Sequence, residues 1–415
     1  MSPLRHATEP GAGTTPAADV PTGAPTGPSE PWAVRTVTDL LPAIVENAAG
    51  HDRDGTAPVP ALDLLWSAGL GALTVPVAAG GRGAPLSEVA GAVRLLGSAD
   101  PSVALIMAMH WLHLETVNAP GGPWSPDMIE LLNRTSLGSA PALVNVIAAE
   151  PELGSGSLGR AATTAVAVAR GDERYWELTG RKTYCTGSTA LGFFLVSATV
   201  PESDGTPTAG VTLLVPADAP GVTIEHTWDH LGLRASASHD VVLDRVLVPV
   251  RLATEPSPLR GRRANAGRSG GWLVALLLSV YTGVAEAATS WLADYLHQRV
   301  PSGLGTPLAQ LPTFQRAVGE IDSQLYAATR LLDALVDEVE RAGPDWAGDR
   351  VGMLKSQATA HLIEAVSTGA TLIGNAALSR RMPYERHLRD VLCSRIHAPH
   401  DDIVFAGAGR SRLGL

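Results

Sequence analysis

The sequence predicts an α+β protein with a helical N-terminal domain, a middle β-barrel or sandwich domain and a C-terminal four-helix bundle. Three observations predict it. From about residue 34 to 139, apolar side chains recur at helical spacing, as in "VRTVTDLLPAIVENAAG" and "LSEVAGAVRLLGSADPSVALIMAMHWLHLE". From about 140 to 257 the pattern changes to short runs of β-formers bounded by Gly, Asp and Pro, among them "ATTAVAVAR", "FFLVSATV" and "HDVVLDRVLVP". From 258 to 415 helical periodicity returns over stretches long enough for a four-helix bundle. Helices, then sheet, then bundle is an α+β order, and no fixed-period repeat interrupts it.

Each zone has its own reason. Residues 1–33 are mostly Pro, Gly, Thr and Ala, too poor in large apolar side chains to offset ordering entropy, so a disordered tail is expected. That stretch also lacks the apolar core of a signal peptide. In the bundle, "GWLVALLLSVYTGVAEAATSWLADYLHQR", "FQRAVGEIDSQLYAATRLLDALVDEVERA" and "GDRVGMLKSQATAHLIEAVSTGATLIG" each predict one long helix. The first is the most apolar, yet Glu286 interrupts it after about 14 residues, short of the roughly 20 a bilayer needs. A soluble, cytoplasmic chain is the expectation. With 45% hydrophobic residues the chain can bury a large core. Its net charge of −10, with one basic cluster ("RGRRANAGR") from Arg260, argues against nucleic acid and anionic membrane as partners. The two cysteines, Cys185 and Cys393, stand far apart with no CxxC pair, which excludes a disulfide scaffold and a structural zinc site.

Two histidine pairs carry the chemical interest. "HLRDVLCSRIHAPHDD" ends with His397 and His400 either side of Pro399, and "MHWLHLE" holds His110 and His113. Residues three apart share a helix face, so either pair could ligate a metal. Neither has a third ligand at tight spacing, so no metal is expected. Each pair could instead satisfy carbonyls at a helix end, or present a proton-bearing ring to a reacting group. Arg389 and Asp390 read as an ion pair at a bundle interface. The closing "GAGRSRLG" has no strand before it and does not make a dinucleotide loop.

Several motifs in order resemble the acyl-CoA dehydrogenase superfamily. They are "LLWSAGLGALTVPVAAGGRG", "AAEPELGSG", the hairpin "ELTGRKTYCTGSTALGFFLVSA", "LGLRASASHDVVLDRVLVP" and "HLRDVLCSRI". Together they span nearly everything after the tail. Two departures matter. The resemblance places Ala398 where a dehydrogenase carries its glutamate base, and the alternative glutamate position falls in "GGWLVALLL", which has no carboxylate. The turn and segment that would hold the adenine half of FAD read "IGNAALSRR" and "RVPSGLG", which favours FMN, or a loosely held flavin, over tightly bound FAD.

These departures resemble the two-component flavin-dependent monooxygenases of the same fold, such as dibenzothiophene monooxygenases and nitrososynthases. That resemblance implies FMN or FAD, delivered reduced by a separate flavin reductase, with O2 and a small organic substrate as partners. It implies oxygen transfer through a flavin C4a-hydroperoxide, in a homotetramer. It casts His397 and His400, with His113 and His110 behind them, as the proton-bearing catalytic residues. Thr186 would meet the flavin ring, Tyr184 would pack on it, and Trp228 would stand beside it. Ser155 and Ser188 would reach phosphate or ribityl oxygens, and Arg299 and Gln315 would serve the cofactor from a neighbouring subunit. The rival readings are an acyl-CoA or acyl-carrier-protein dehydrogenase with an atypical base, and a non-catalytic partner subunit of the same fold.

Overall fold

The computed structural model describes residues 30–415 other than 152, 154–160, 202–206, 259–266, 343–345, 347 and 349. The expected tail lies almost wholly outside these residues, and the first helix already starts at Trp32.

Five helices come first: α1 (Trp32–Asp54), α2 (Val59–Ser67), α3 (Leu86–Ala99), α4 (Pro101–Asn118) and α5 (Pro126–Ser136). α1 stops at Gly55, whose φ of 64° is a left-handed cap that a side chain would oppose. α4 starts where Asp100 accepts the N–H groups of Ser102 and Val103, at 2.8 and 3.3 Å, with Pro101 fitting the first turn. Its residues from Pro101 to Ala108 are all buried, as are His110, Trp111, Leu112 and Leu114, so it is a central helix without a solvent face.

Among the described residues, the middle zone folds into one eight-stranded mixed sheet. Its strands are β1 (Leu143–Ile147), β2 (Thr164–Arg170), β3 (Glu173–Cys185), β4 (Leu191–Pro201), β5 (Pro207–Pro216), β6 (Val222–Glu225), β7 (His239–Pro249) and β8 (Ser257–Pro258). The order is β6-β7-β3-β2-β4-β5-β8, with β1 added parallel to β4. Inside it Lys182 and Glu150 form a sealed ion pair at 2.6 Å, and Thr163 donates its hydroxyl to the same carboxylate at 2.7 Å. Such a pair is tolerated because every charge has its partner.

The last zone holds α6 (Gly267–Gln298), α7 (Pro312–Arg341), α8 (Val351–Ile373), α9 (Tyr384–Ile396) and α10 (Asp401–Leu413). α6 crosses α3 at a contact only glycine allows. A Cβ on Gly283 would stand 2.1 Å from the Arg94 carbonyl oxygen, and one on Gly97 would stand 2.4 Å from that of Val280. Arg94 Nε and Glu286 pair beside it at 2.8 Å. α6 is long and apolar enough to cross a membrane by length and composition, but 83% of its most apolar stretch is buried within the protein. It is the core helix that joins the N-terminal helices to the bundle. α9 ends at Ile396 because Pro399 disfavours helical backbone before it, and α10 restarts at Asp401.

Candidate active site

A cavity of about 620 Å³ lies where α4, β1, the end of β3, the segment before β7, α6 and the end of α9 meet. That volume suits a cofactor ring with a small ligand. Leu105, Met109, Leu112, Trp124, Leu273 and Leu277 make one apolar wall. The opposite wall is polar and is built by two chain segments hydrogen-bonded to each other. Gly187, at φ 77°, turns the chain so that its N–H reaches the Ser236 carbonyl at 2.8 Å. Ser236 and Ser238 hydroxyls lie 2.8 Å apart, and Ser238 donates to Thr186 Oγ1 at 3.1 Å. Asn145 Nδ2 donates to the Thr186 carbonyl at 3.0 Å.

The backbone here is strained. Tyr184, Leu233 and Ala237 are non-glycine residues with φ of 55°, 51° and 45°, and the first two line the cavity. Left-handed backbone at such residues persists only where surrounding contacts enforce it, and it concentrates at functional sites. One enforcing contact is the Leu233 N–H, which donates to Asp390 Oδ1 at 2.7 Å. Burial pushes that carboxyl up to about 7, against the pull of this hydrogen bond. Asp390 therefore does not pair with Arg389, contrary to the sequence reading. Arg389 pairs instead with Asp52 and Glu385, each at 2.7 Å. Gly232 lets this loop approach α9, since a Cβ there would stand 2.5 Å from the Arg389 carbonyl oxygen.

At the cavity wall Tyr184 meets Trp228 and His230 edge-on, while Trp228 and His230 stack with centroids 3.7 Å apart. The indole N–H of Trp228 donates to the Leu233 carbonyl at 3.0 Å.

The expected catalytic histidines separate. His113 and His397 line the cavity. His113 hydrogen-bonds the Asn145 side chain, and burial pushes it down to about 4 despite that bond. His397 Nδ1 lies 2.7 Å from the Tyr281 hydroxyl. Burial, and then the nearby Lys355 ammonium, push it down to about 4 as well. Lys355 is itself buried, and its Nζ donates to the carbonyls of His397 at 2.8 Å and of Arg395 and Pro399 at 3.3 Å. It thereby holds the break between α9 and α10. His110 does not reach the cavity. Its Nε2 donates to the Gly71 carbonyl at 2.8 Å and its Nδ1 accepts the Val144 N–H at 3.1 Å, so both nitrogens are spent on the core and its catalytic assignment is corrected. His400 occupies the position before α10 and is not among the cavity residues.

The cofactor residues divide too. Tyr184, Thr186 and Trp228 line the cavity. Ser188 does not; its hydroxyl, buried in the turn after β3, donates to the Ala237 carbonyl at 2.7 Å, which removes it from the flavin contacts expected. Arg299 and Gln315 are not among the cavity residues, and Gln315 donates to the Ala309 carbonyl at 3.1 Å. Ser155 falls outside the described residues. Asn145 was not singled out by sequence reasoning; its signal is an amide in the middle of the aliphatic run "LVNVI".

Among the described residues no carboxylate, lysine or arginine lines the cavity, and Ala398 stands beside His397 in its wall. Glu115, next to the cavity residue Thr116, is held by Arg268 at 3.2 Å. Asp401 accepts the Ser356 hydroxyl at 2.6 Å. The donor set fits a flavin ring: hydroxyls and an amide along one edge, aromatic rings beside it and an aliphatic wall opposite.

Residues 146–246 match the acyl-CoA dehydrogenase middle domain and residues 275–402 match the acyl-CoA dehydrogenase C-terminal domain. A putative acyl-CoA dehydrogenase, YdbM of Bacillus subtilis, is 31% identical over 87% of this chain and 91% of its own length. This chain belongs to the acyl-CoA dehydrogenase family. Within the family it is also similar to the L-evernosamine nitrososynthase of a Micromonospora species, 30% identical over 92% of this chain and 91% of that protein. Among solved structures it is similar to KijD3 in complex with FMN and dTDP-3-amino-2,3,6-trideoxy-4-keto-3-methyl-D-glucose. That likeness has a TM-score of 0.79 at 26% identity, covering 94% of this chain and 95% of the other.

Proposed function

We propose that this member of the family is a flavin-dependent monooxygenase, not a dehydrogenase. The observation that carries the proposal is a cavity lined, among the described residues, by three histidines (His113, His230 and His397) and by no carboxylate. A dehydrogenase must take a weakly acidic α-proton, which calls for a base poised over the substrate. None of the described residues in this wall does that: His113 and His397, pushed down to about 4, are weaker bases than free imidazole, and burial pushes His230 down as well.

FMN suits the donor set, and FAD is the alternative; a separate reductase would deliver the flavin reduced. When bound, reduced flavin supplies two electrons to O2, so that one oxygen atom enters the substrate and the other leaves as water. The chain's own contribution is placement and protection. Thr186 and the Ser236–Ser238 hydroxyls orient the polar edge of the ring, while Tyr184 and Trp228 bound its plane. The aliphatic wall excludes water, which would otherwise divert the oxygen to hydrogen peroxide. His397 donates its N–H to the reacting oxygen and supplies the proton its departing half needs, while His113, bonded to Asn145, completes the polar wall beside it.

Amino sugars, for which the nitrososynthases of Streptomyces peucetius and Streptomyces rubradiris are named, are the first small substrates to assay, with a role in secondary metabolism as the setting. A cytoplasmic homotetramer is the expected setting. Large apolar side chains left exposed at the bundle end, including Leu378, Ile396, Ile403 and Phe405, support assembly there. Light scattering at micromolar concentration should report four chains, and a stable monomer would contradict it.

The functional test offers oxidised flavoprotein a series of acyl-CoA thioesters, and separately offers the reduced complex O2. Bleaching of the flavin by a thioester would return the protein to the dehydrogenases. Substrate-dependent oxygen uptake with little peroxide would support the monooxygenase.

A further inference from the structure

The neutral His397 ring can carry its proton on either nitrogen, and only one choice presents a donor to the cavity. The surroundings decide which. Tyr281 is 1% exposed, and its hydroxyl lies 2.7 Å from His397 Nδ1. The rings are tilted at 41° with centroids 5.8 Å apart, so they meet through the hydroxyl and not by stacking. Among the described residues this hydroxyl has no other hydrogen-bond partner. Were Nδ1 the proton carrier, the phenol would accept from it and leave its own O–H buried without an acceptor. Folded proteins rarely leave a buried donor unpaired.

We infer that Tyr281 is a positioning residue, whose hydroxyl donates to Nδ1 and fixes the neutral His397 ring with its proton on Nε2, available to the cavity. The inference deepens the monooxygenase reading, in which His397 must donate and not accept. Two features support it. The phenol keeps its proton, because burial pushes its ionisation well above the usual tyrosine range. The Lys355 ammonium, bonded to the His397 carbonyl, opposes a second proton on the ring and anchors the backbone that carries it. The backbone carbonyl of Cys393 also faces the ring and is the competing acceptor.

The test reads the tautomer directly, with no need of turnover. Full-length protein labelled with ¹⁵N-histidine, free of flavin and at neutral pH, is compared by solid-state NMR with the His397→Gln variant, so that the missing signals identify His397. The expected wild-type result is a protonated Nε2 and an unprotonated Nδ1. Tyr281→Phe keeps the ring volume and should shift the tautomer ratio by about tenfold toward Nδ1–H, the change expected for one lost hydrogen bond. A wild-type ring protonated on Nδ1, or a ratio unchanged in Tyr281→Phe, would overturn the inference. The wild-type spectrum decides even if the variant fails to fold. The two proposals fail separately. The tautomer can be as inferred while the reduced complex shows no oxygen transfer, which would sink the monooxygenase alone. Coupled oxygen transfer with the opposite tautomer would sink the role of Tyr281 alone.

Discussion

The chain contains two His-x-x-His segments, one in the middle of a buried helix and one at a helix break, and each splits its histidines between structure and cavity. In α4, His110 bonds Gly71 and Val144 while His113 faces the cavity beside Asn145. At the end of α9, His397 faces the cavity beside Tyr281 while His400 opens α10. Identical spacing therefore does not mean identical use. In α4 the partners are separated by whether both ring nitrogens are taken by the fold, and at the helix break by which residue reaches the cavity, so each difference belongs to the surroundings and not to the spacing.

If that comparison holds, the largest loss follows His397→Ala. Product formation should fall by about two to four powers of ten, hydrogen peroxide should rise, and flavin affinity should stay close to wild type. Oxygen uptake, peroxide and product measured in one reaction check it. His113→Ala should uncouple in the same direction. His110→Ala should act on the fold instead. It strands a buried carbonyl and a buried N–H and leaves a void, for about 2–4 kcal/mol of lost stability by denaturant unfolding. If its effect were on coupling with stability intact, the assignment of His110 to the core would be wrong.

Acid sharpens the contrast further. His110, His113 and His397 sit at about 4, and burial pushes His387 to about 3, whereas the unfolded chain takes up these protons near 6.5. The unfolded state thus binds more protons in that window, and stability should fall as pH drops from about 6.5 to 4. Asp390, raised to about 7, works the other way, costing stability as pH rises from about 4 to 7. Asp390→Asn should therefore steepen the acid loss, and thermal midpoints across that range would show whether it does. The smallest effect belongs to His400→Ala, which should keep coupled turnover; a loss matching that of His397→Ala would mean that both rings of the pair serve the site.

The order of the three zones and the long helices of the bundle were legible in the sequence, because helical periodicity and β-rich runs are local signals. The site was legible only in part. α4 is buried on every side, so no polar face marks His113 as different from His110. Thr186 and Ser188 flank Gly187, whose positive φ turns one to the cavity and the other to the buried Ala237 carbonyl. Asn145 and Tyr281 sit among aliphatic residues and gain their roles from partners 32 and 116 positions away along the chain, at His113 and His397. Asp390 finds its partner in the Leu233 backbone, 157 positions away, which no charge pattern announces.

The central claim is that neutral imidazole donors, and not a carboxylate, serve this cavity. Its most direct test needs no substrate: the anaerobic complex with reduced FMN is mixed rapidly with O2 while flavin absorbance is followed. The account predicts a transient species, distinct from reduced and oxidised flavin, that is long-lived in the wild type and at least about tenfold shorter-lived in His397→Ala. Direct conversion of reduced to oxidised flavin with no transient in the wild type, or an equal lifetime in the variant, would contradict it.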